Sequence, residues 1–393
     1  HSLGRSKRRQ VLAAGFRREI LEARYNITTR IEAEETTLGV AERVIASTKQ
    51  EILEQYAIYD HYQPERMHVV PPGTDLQQFH APDGSENNCS IAAEINRFLN
   101  KPDKPIILAI SRPDPRKNIL QLISAYGESK ELQRLANLVI VAGNRDDISD
   151  MNDDAKGVLQ DILLHIDLYD LYGKVAYPKH HQATDVARIY RFTALNRGVF
   201  VNPALTEPFG LTLIEAAACG LPVVATEDGG PIDIIANCHN GYLIDPLDTG
   251  DISSKLLDIL SASECWEDFA GNGLSGVQKH YSWQAHIEKY MDIITPLIAR
   301  KEVTPPFHAK RRKQLHHDRA LFSDLDQNLL GNPQALKPFI NALQANRKCV
   351  LFGIATGRRR DSAIQVLKKY NIPIPNVLIT SLGTEIYYNP NLV

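Results

Sequence analysis

The run Glu207-Pro-Phe-Gly-Leu-Thr-Leu-Ile-Glu215 carries two carboxylates separated by seven residues, with Gly210 between them. It follows the apolar stretch 198–202 and leads into Ala-Ala-Ala-Cys-Gly, so it reads as a strand, a loop and the start of a helix. In an open parallel sheet, ligands sit beyond the carboxyl ends of the strands, and a helix starting there aims free amides at an anion. Gly210 lets the backbone approach closely. A carboxylate accepts from two hydroxyls at once, so Glu207 and Glu215 suit a polyhydroxylated ligand held from two directions. Either glutamate alone is equally what a helix N-terminus or a solvated face would carry.

A second segment, Ser111-Arg112-Pro-Asp-Pro-Arg116-Lys117-Asn118, stands directly after the strand-like 106–110. Arginine offers a planar fork and lysine a point charge, so Arg112 and Lys117 at a strand-to-helix crossover make a diphosphate clamp. The loop Val175-Ala-Tyr177-Pro-Lys179-His180-His181 could hold a base or ribose through backbone groups and ring stacking. Its adjacent histidines lack the helical spacing and further ligands of a metal site. Thr226-Glu-Asp228-Gly229-Gly230-Pro231 fits a tight turn lining the same cleft.

The elements that position these groups are short apolar runs at 106–110, 138–143, 198–202, 222–226 and 241–244, alternating with helix-length segments. This is the pattern of parallel strands covered on both faces, and it predicts an α/β, Rossmann-like nucleotide-binding domain over 105–297. Residues 1–80 read as the last part of another α/β domain, and the polar stretch 81–104, with a helix near 91–99, as a linker or insertion. A charged, proline-bearing passage at 298–319 reads as a linker. A second α/β beginning occupies 320–393.

The 44 Lys+Arg against 47 Asp+Glu give a formal charge of -3, so no basic field recruits nucleic acid or an anionic membrane. No run reaches the ~18–20 apolar residues of a membrane span. The five cysteines are scattered without a zinc or disulfide pattern, and a cytoplasmic location is expected. The sequence opens on His1 and ends just after a strand-like run, so both ends are expected to be cut from a longer polypeptide.

Together these segments resemble the retaining glycosyltransferases with two Rossmann-like domains (the GT-B type). The sucrose-phosphate synthases are the nearer match, through 1–7, Arg30–Glu35, Ser47–Glu51, Val69–Asp75, Ser111–Asn118, Tyr177–His181 and Glu207–Ala218. The resemblance implies glucose transfer from UDP-glucose to fructose 6-phosphate without a required cofactor. Arg112 and Lys117 would hold the diphosphate and Glu215 the ribose. Val175, Tyr177 and Lys179 would lie at the nucleotide. Glu207 and the amides of Phe209, Gly210 and Leu211 would take the glucose hydroxyls, with His1 against the transferred sugar. Ser2, Lys7 and Arg30 would belong to the fructose 6-phosphate pocket. Only the end of the acceptor domain is in the sequence, which predicts a fragment inactive by itself.

Ala320-Leu-Phe-Ser-Asp324-Leu-Asp326-Gln-Asn328 resembles the first motif of haloacid-dehalogenase-like (HAD-like) phosphatases, and Thr356-Gly-Arg358 the second. This implies Asp324 as nucleophile, Asp326 as acid/base and Mg²⁺ held by both, with Asn328 in place of the customary threonine. A sucrose-phosphate phosphatase is an implied partner. Three alternatives remain: a sucrose synthase-like enzyme using free fructose, which leaves the charges of Lys7 and Arg30 unused; a phosphatase whose transferase-like region only binds sugar phosphates; and a non-catalytic binding protein.

Overall fold

The computed structural model describes residues 3–86, 89–299, 319–347 and 349–388. His1, Ser2 and most of the 298–319 passage therefore lie outside the described residues. One compact unit comprises Glu42–Ala57 and Gln63–Lys301; His1–Ala41, Ile58–Tyr62 and Glu302–Val393 group as the other.

The larger unit opens with a parallel pair, β1 (Val44–Ala46) and β2 (Met67–Val69). Its main sheet has six strands: β3 (Ile106–Ile110), β4 (Asn137–Val141), β5 (Val175–Ala176), β6 (Val199–Asn202), β7 (Val223–Thr226) and β8 (Gly241–Ile244). They lie in the order β5-β4-β3-β6-β7-β8, with every pairing parallel. Successive strand residues face opposite sides, so Ile106, Leu108 and Phe200 enter one apolar core while Ile107, Ala109 and Val201 enter another. Burial on both faces is why these strands read as unbroken apolar runs rather than alternating ones.

The strand order places β3 beside β6, while the chain leaves β3 towards β4 and leaves β6 towards β7, on the opposite side. This reversal opens a crevice beyond the carboxyl ends of β3 and β6, between loops that diverge.

Residues 81–104, read as a linker or insertion with a helix near 91–99, do carry that helix, and it packs into the sheet domain. Ser90–Asn96 is a helix whose Ile91, Ala92 and Ile95 are buried in the same core as Tyr190 and Phe200. The partition at residue 80 also differs from the compact units, because 42–57 and 63–80 go with the sheet. Lys49 N donates to Asp233 Oδ2 (2.9 Å), Thr74 N to the Tyr281 carbonyl (2.8 Å), and His286 Nδ1 lies 2.7 Å from the Pro71 carbonyl oxygen. Such main-chain ties across the sequence carry no local pattern.

The other unit contains a four-stranded sheet, β9 (Arg319–Ser323), β10 (Val350–Ala355), β11 (Val377–Thr380) and β12 (Glu385–Tyr388), in the order β12-β11-β10-β9. β12 is antiparallel to β11 and the other pairings are parallel. Its core includes Leu325, Phe352, Ile354, Leu367 and Leu378. The same unit includes the N-terminal helices Gly4–Ala13, Arg18–Tyr25 and Ile27–Val40, around a small core of Leu21, Ile27 and Ile31.

The turn after β7 fastens the loop after β6. Glu207 N donates to the Asp228 carbonyl (3.0 Å) and Gly230 N to the Glu207 carbonyl (2.9 Å). Gly229 sits at φ +110°, and a Cβ there would collide with the Glu207 carbonyl oxygen. Gly229→Ala is expected to lower the unfolding free energy by about 3 kcal/mol, combining overpacking with backbone strain, as read by urea denaturation.

Candidate active site

Beyond β3 and β6 lies a cavity of about 360 Å³. Its lining comes from Ile110–Arg112 and Lys117 on the β3 side, and from Asn202 and Glu207–Thr212 on the β6 side. Local structure sets each group. Asp114 caps the short 3₁₀ turn Pro115–Lys117 by accepting from Arg116 N (2.9 Å), and Asn118 turns the chain at φ 53° into the helix Ile119–Glu128. Arg116 also pairs with Asp114, Nη2 to Oδ2 at 2.6 Å, and holds that carboxyl down at about 2. Arg116 is thus paired outside the cavity, and the cations on its lining are Arg112 and Lys117. The Arg116 carbonyl accepts from Leu205 N (2.9 Å), tying the loop after β3 to the loop after β6.

Across that tie, Lys117 Nζ donates to Glu207 Oε2 at 2.6 Å. Both side chains are largely buried, 25% and 12% exposed, so the pairing is little screened. Asn202 Nδ2 donates to the same oxygen at 3.0 Å. Asn202 was missed by the sequence reading; its only signal was a polar residue closing an otherwise apolar strand. Gly210, left-handed at φ 99°, starts the helix Leu211–Ala218, whose first turn opens on the cavity. Arg112, Lys117, Glu207, Phe209, Gly210 and Leu211 therefore meet in one place, equipped to hold an anion at one end and hydroxyls at the other.

Glu215 does not line the cavity. Burial raises its pKa to about 7, and the fully buried Tyr190, whose hydroxyl makes no hydrogen bond of normal geometry, stands close enough to offset part of that rise. Val175, Tyr177 and Lys179 also lie outside the lining. Val175 is buried in β5, and the Tyr177 ring packs on Phe98 at 4.9 Å, so it is not presented for stacking. Lys179 Nζ donates to the Asp146 carbonyl at 3.1 Å. What this loop offers is main chain. Arg145, only 8% exposed, shapes it by donating to the carbonyls of Tyr177 (3.0 Å) and Pro178 (3.2 Å). Asn144 brackets His181 by accepting from its amide and donating to its carbonyl, both at 2.8 Å. Neither residue was singled out from the sequence, because a buried arginine reads as a surface one.

In the other unit, Arg30 Nε donates to Glu34 Oε1 at 3.0 Å, and Lys7 Nζ lies 3.6 Å from the centre of the Tyr25 ring. Asp324 ends β9 and accepts from Leu325 N (2.6 Å). Asp326 is gripped by Arg358, with Nε 2.8 Å and Nη2 2.7 Å from its oxygens, and this pairing lowers its pKa. Thr356, buried, accepts from Arg358 N at 3.3 Å. Asp326, expected to share Mg²⁺ with Asp324, is thus paired with a partly exposed arginine. Among the described residues no cluster of three or more His, Cys, Asp or Glu could hold a metal, and no helix is long and apolar enough to cross a membrane.

Residues 91–274 match the family model of glycosyl transferases group 1, and residues 317–393 that of sucrose-6F-phosphate phosphohydrolase. The fold is that of a GT-B glycosyltransferase domain, followed by a HAD-like, sucrose-phosphatase-like domain. Probable sucrose-phosphate synthase 2 of Craterostigma plantagineum is 45% identical, the match covering 74% of this chain and 30% of that protein. Sucrose-phosphate synthase 4 of Arabidopsis thaliana is also 45% identical, over 74% of this chain and 31% of its own length. The solved sucrose-phosphate synthase of Thermosynechococcus elongatus superposes with a TM-score of 0.58 at 26% identity, covering 77% of this chain and 67% of that one. The chain belongs to the sucrose-phosphate synthase family, and it spans about 30% of the length of the curated relatives it matches. A more distant structure, Anabaena HepE in complex with UDP, shares the fold at 16% identity and a TM-score of 0.56, over 69% of this chain and 68% of that one.

The raised pKa of Glu215 has a stability consequence. The folded chain binds a proton that the unfolded one releases nearer 4.5, so this contribution is full below pH 4.5 and is lost as pH rises towards about 7. Glu215→Gln is expected to remove that pH dependence and to stabilise the chain at pH 8 by roughly 2 kcal/mol relative to wild type, as read by denaturation across the pH range.

Proposed function

We propose that the protein carrying this chain transfers glucose, with retention, from UDP-glucose to fructose 6-phosphate, giving sucrose 6-phosphate and UDP. The observation that carries the reading is the pairing of Lys117 with Glu207 inside one cavity at the strand-order reversal. A cation and a carboxylate side by side there match the adjoining diphosphate and sugar of a nucleotide diphosphate sugar. The 45% identity to sucrose-phosphate synthases supports this donor and acceptor, and HepE, of the same fold, was solved with UDP-glucose.

On this reading Arg112 and Lys117 take the diphosphate, and Glu207 with the amides of Phe209, Gly210 and Leu211 takes the glucose hydroxyls. The 175–181 main chain and Glu215 serve the nucleoside. No protein nucleophile is invoked: the departing diphosphate assists the acceptor hydroxyl, and the protein stabilises charge and fixes geometry. His1, Ser2, Lys7 and Arg30 are assigned to the acceptor side, as the resemblance to sucrose-phosphate synthases implies. A phosphatase acting on the product is the natural partner. The transfer reaction requires no group of the phosphatase-like segment, where Arg358 pairs with Asp326.

Two experiments test this. By calorimetry, the Arg112→Ala, Lys117→Ala double variant of this chain is expected to lose UDP affinity by at least about 100-fold, since two charge-assisted contacts go. In the full-length protein, Glu207→Gln is expected to lower kcat/KM with fructose 6-phosphate by about 100-fold or more while UDP binding is no weaker, because Lys117 then has no carboxylate to satisfy. Unchanged turnover in that variant, or equal use of free fructose by the wild type, refutes the assignment.

A further inference from the structure

Asn202 is the last residue of β6 and lines the cavity, although only 7% of its surface is exposed. Its amide orientation follows from its bonds. Oδ1 accepts from Ala204 N at 3.2 Å, which leaves Nδ2 directed at Glu207 Oε2, 3.0 Å away. The same carboxylate oxygen receives Lys117 Nζ at 2.6 Å. Two donors therefore converge on one atom, one on a rigid strand end and the other on a long, rotatable stem.

We propose that Asn202 is a positioning residue for the donor sugar: it keeps the Glu207 carboxylate in register while Lys117 turns to the diphosphate. This rests on the donor reading above. The backbone of Glu207 is fixed by Asp228 and Gly230, but a fixed backbone leaves the side-chain torsions free. Once Lys117 is drawn to an anion, Asn202 is the remaining side chain bonded to that carboxylate among the described residues. A neutral amide suits the task, since it orients the carboxylate without cancelling the charge that sugar hydroxyls bond to. The charged groups around Glu207 are Lys117 and Arg112 on the β3 side and Asp228 on the turn after β7; the Asp228 carboxylate is itself occupied by Thr206 (2.7 Å) and Gln50 (2.7 Å).

The test is calorimetric titration of this chain with UDP and with UDP-glucose, for wild type, Asn202→Ala and Asn202→Asp. Asn202→Ala is expected to weaken UDP-glucose by about tenfold or more and UDP by less than about threefold, because a hydrogen bond to a charged group is lost only at the sugar end. Asn202→Asp keeps the acceptor for Ala204 but sets a second carboxylate against Glu207. Its UDP-glucose defect is expected to be at least as large as that of Asn202→Ala, with UDP again weakened by less than about threefold, because the second carboxylate repels Glu207 and takes away its donor. A purely structural role predicts that Asn202→Asp behaves as wild type, and that result overturns the proposal. So does equal weakening of both ligands by Asn202→Ala in a chain whose circular dichroism is unchanged. Failure of the wild type to bind UDP, or indifference of that binding to Lys117→Ala, removes the donor reading and this inference with it, and is seen without any Asn202 variant.

Discussion

The adjacency of β3 and β6 is the constraint on which the cavity depends. Neither strand carries the chemistry; what matters is that their chains depart in opposite directions and leave their carboxyl ends uncovered. Arg112 and Lys117 hang from one end, Asn202 and Glu207 from the other. The Leu205–Arg116 backbone bond and the exchange of amides between Glu207 and the Asp228–Gly230 turn then lock three loops, from three strands, into one rim. A change at Gly229 thus reaches Glu207 through the main chain.

Electrostatics within the rim follows from that locking. Arg116 is withdrawn from the cavity by Asp114, and the Asp228 carboxylate is occupied by hydrogen bonds from Thr206 and Gln50. The charges left on the lining are Arg112, Lys117 and Glu207, of which the last two satisfy one another. Glu215 is handled differently, by burial beside a tyrosine.

Much of this was legible in the sequence, because parallel strands buried on both faces leave apolar runs of recognisable length. The strands at 106–110 and 241–244 fall where those runs are, and the Arg112–Lys117 and Glu207–Leu211 segments stand at strand ends as read. What was not legible depends on partners far along the chain. Ile91, Ala92 and Ile95 belong to the core, yet the polar residues before them resembled a linker. The ring of Tyr177 turns inward because Phe98 is there, and Asp326 is engaged because Arg358 is. Asn202 and Arg145 make their hydrogen bonds to backbone or carboxylate groups far from any sequence pattern, and no spacing rule announces such bonds.

On the donor reading, the Lys117–Glu207 pairing also bears on how a turnover ends. In the loaded site the sugar hydroxyls would occupy Glu207 and the diphosphate Lys117. Departure of the glucosyl group would then strip Glu207 of its sugar partners while the nucleotide still sat on Lys117. The carboxylate, 2.6 Å from the ammonium in the empty cavity, then competes with the phosphate oxygens for it. On the donor reading, the intramolecular ion pair is a built-in competitor that stays silent while the donor is intact and loosens the spent nucleotide once the sugar has gone.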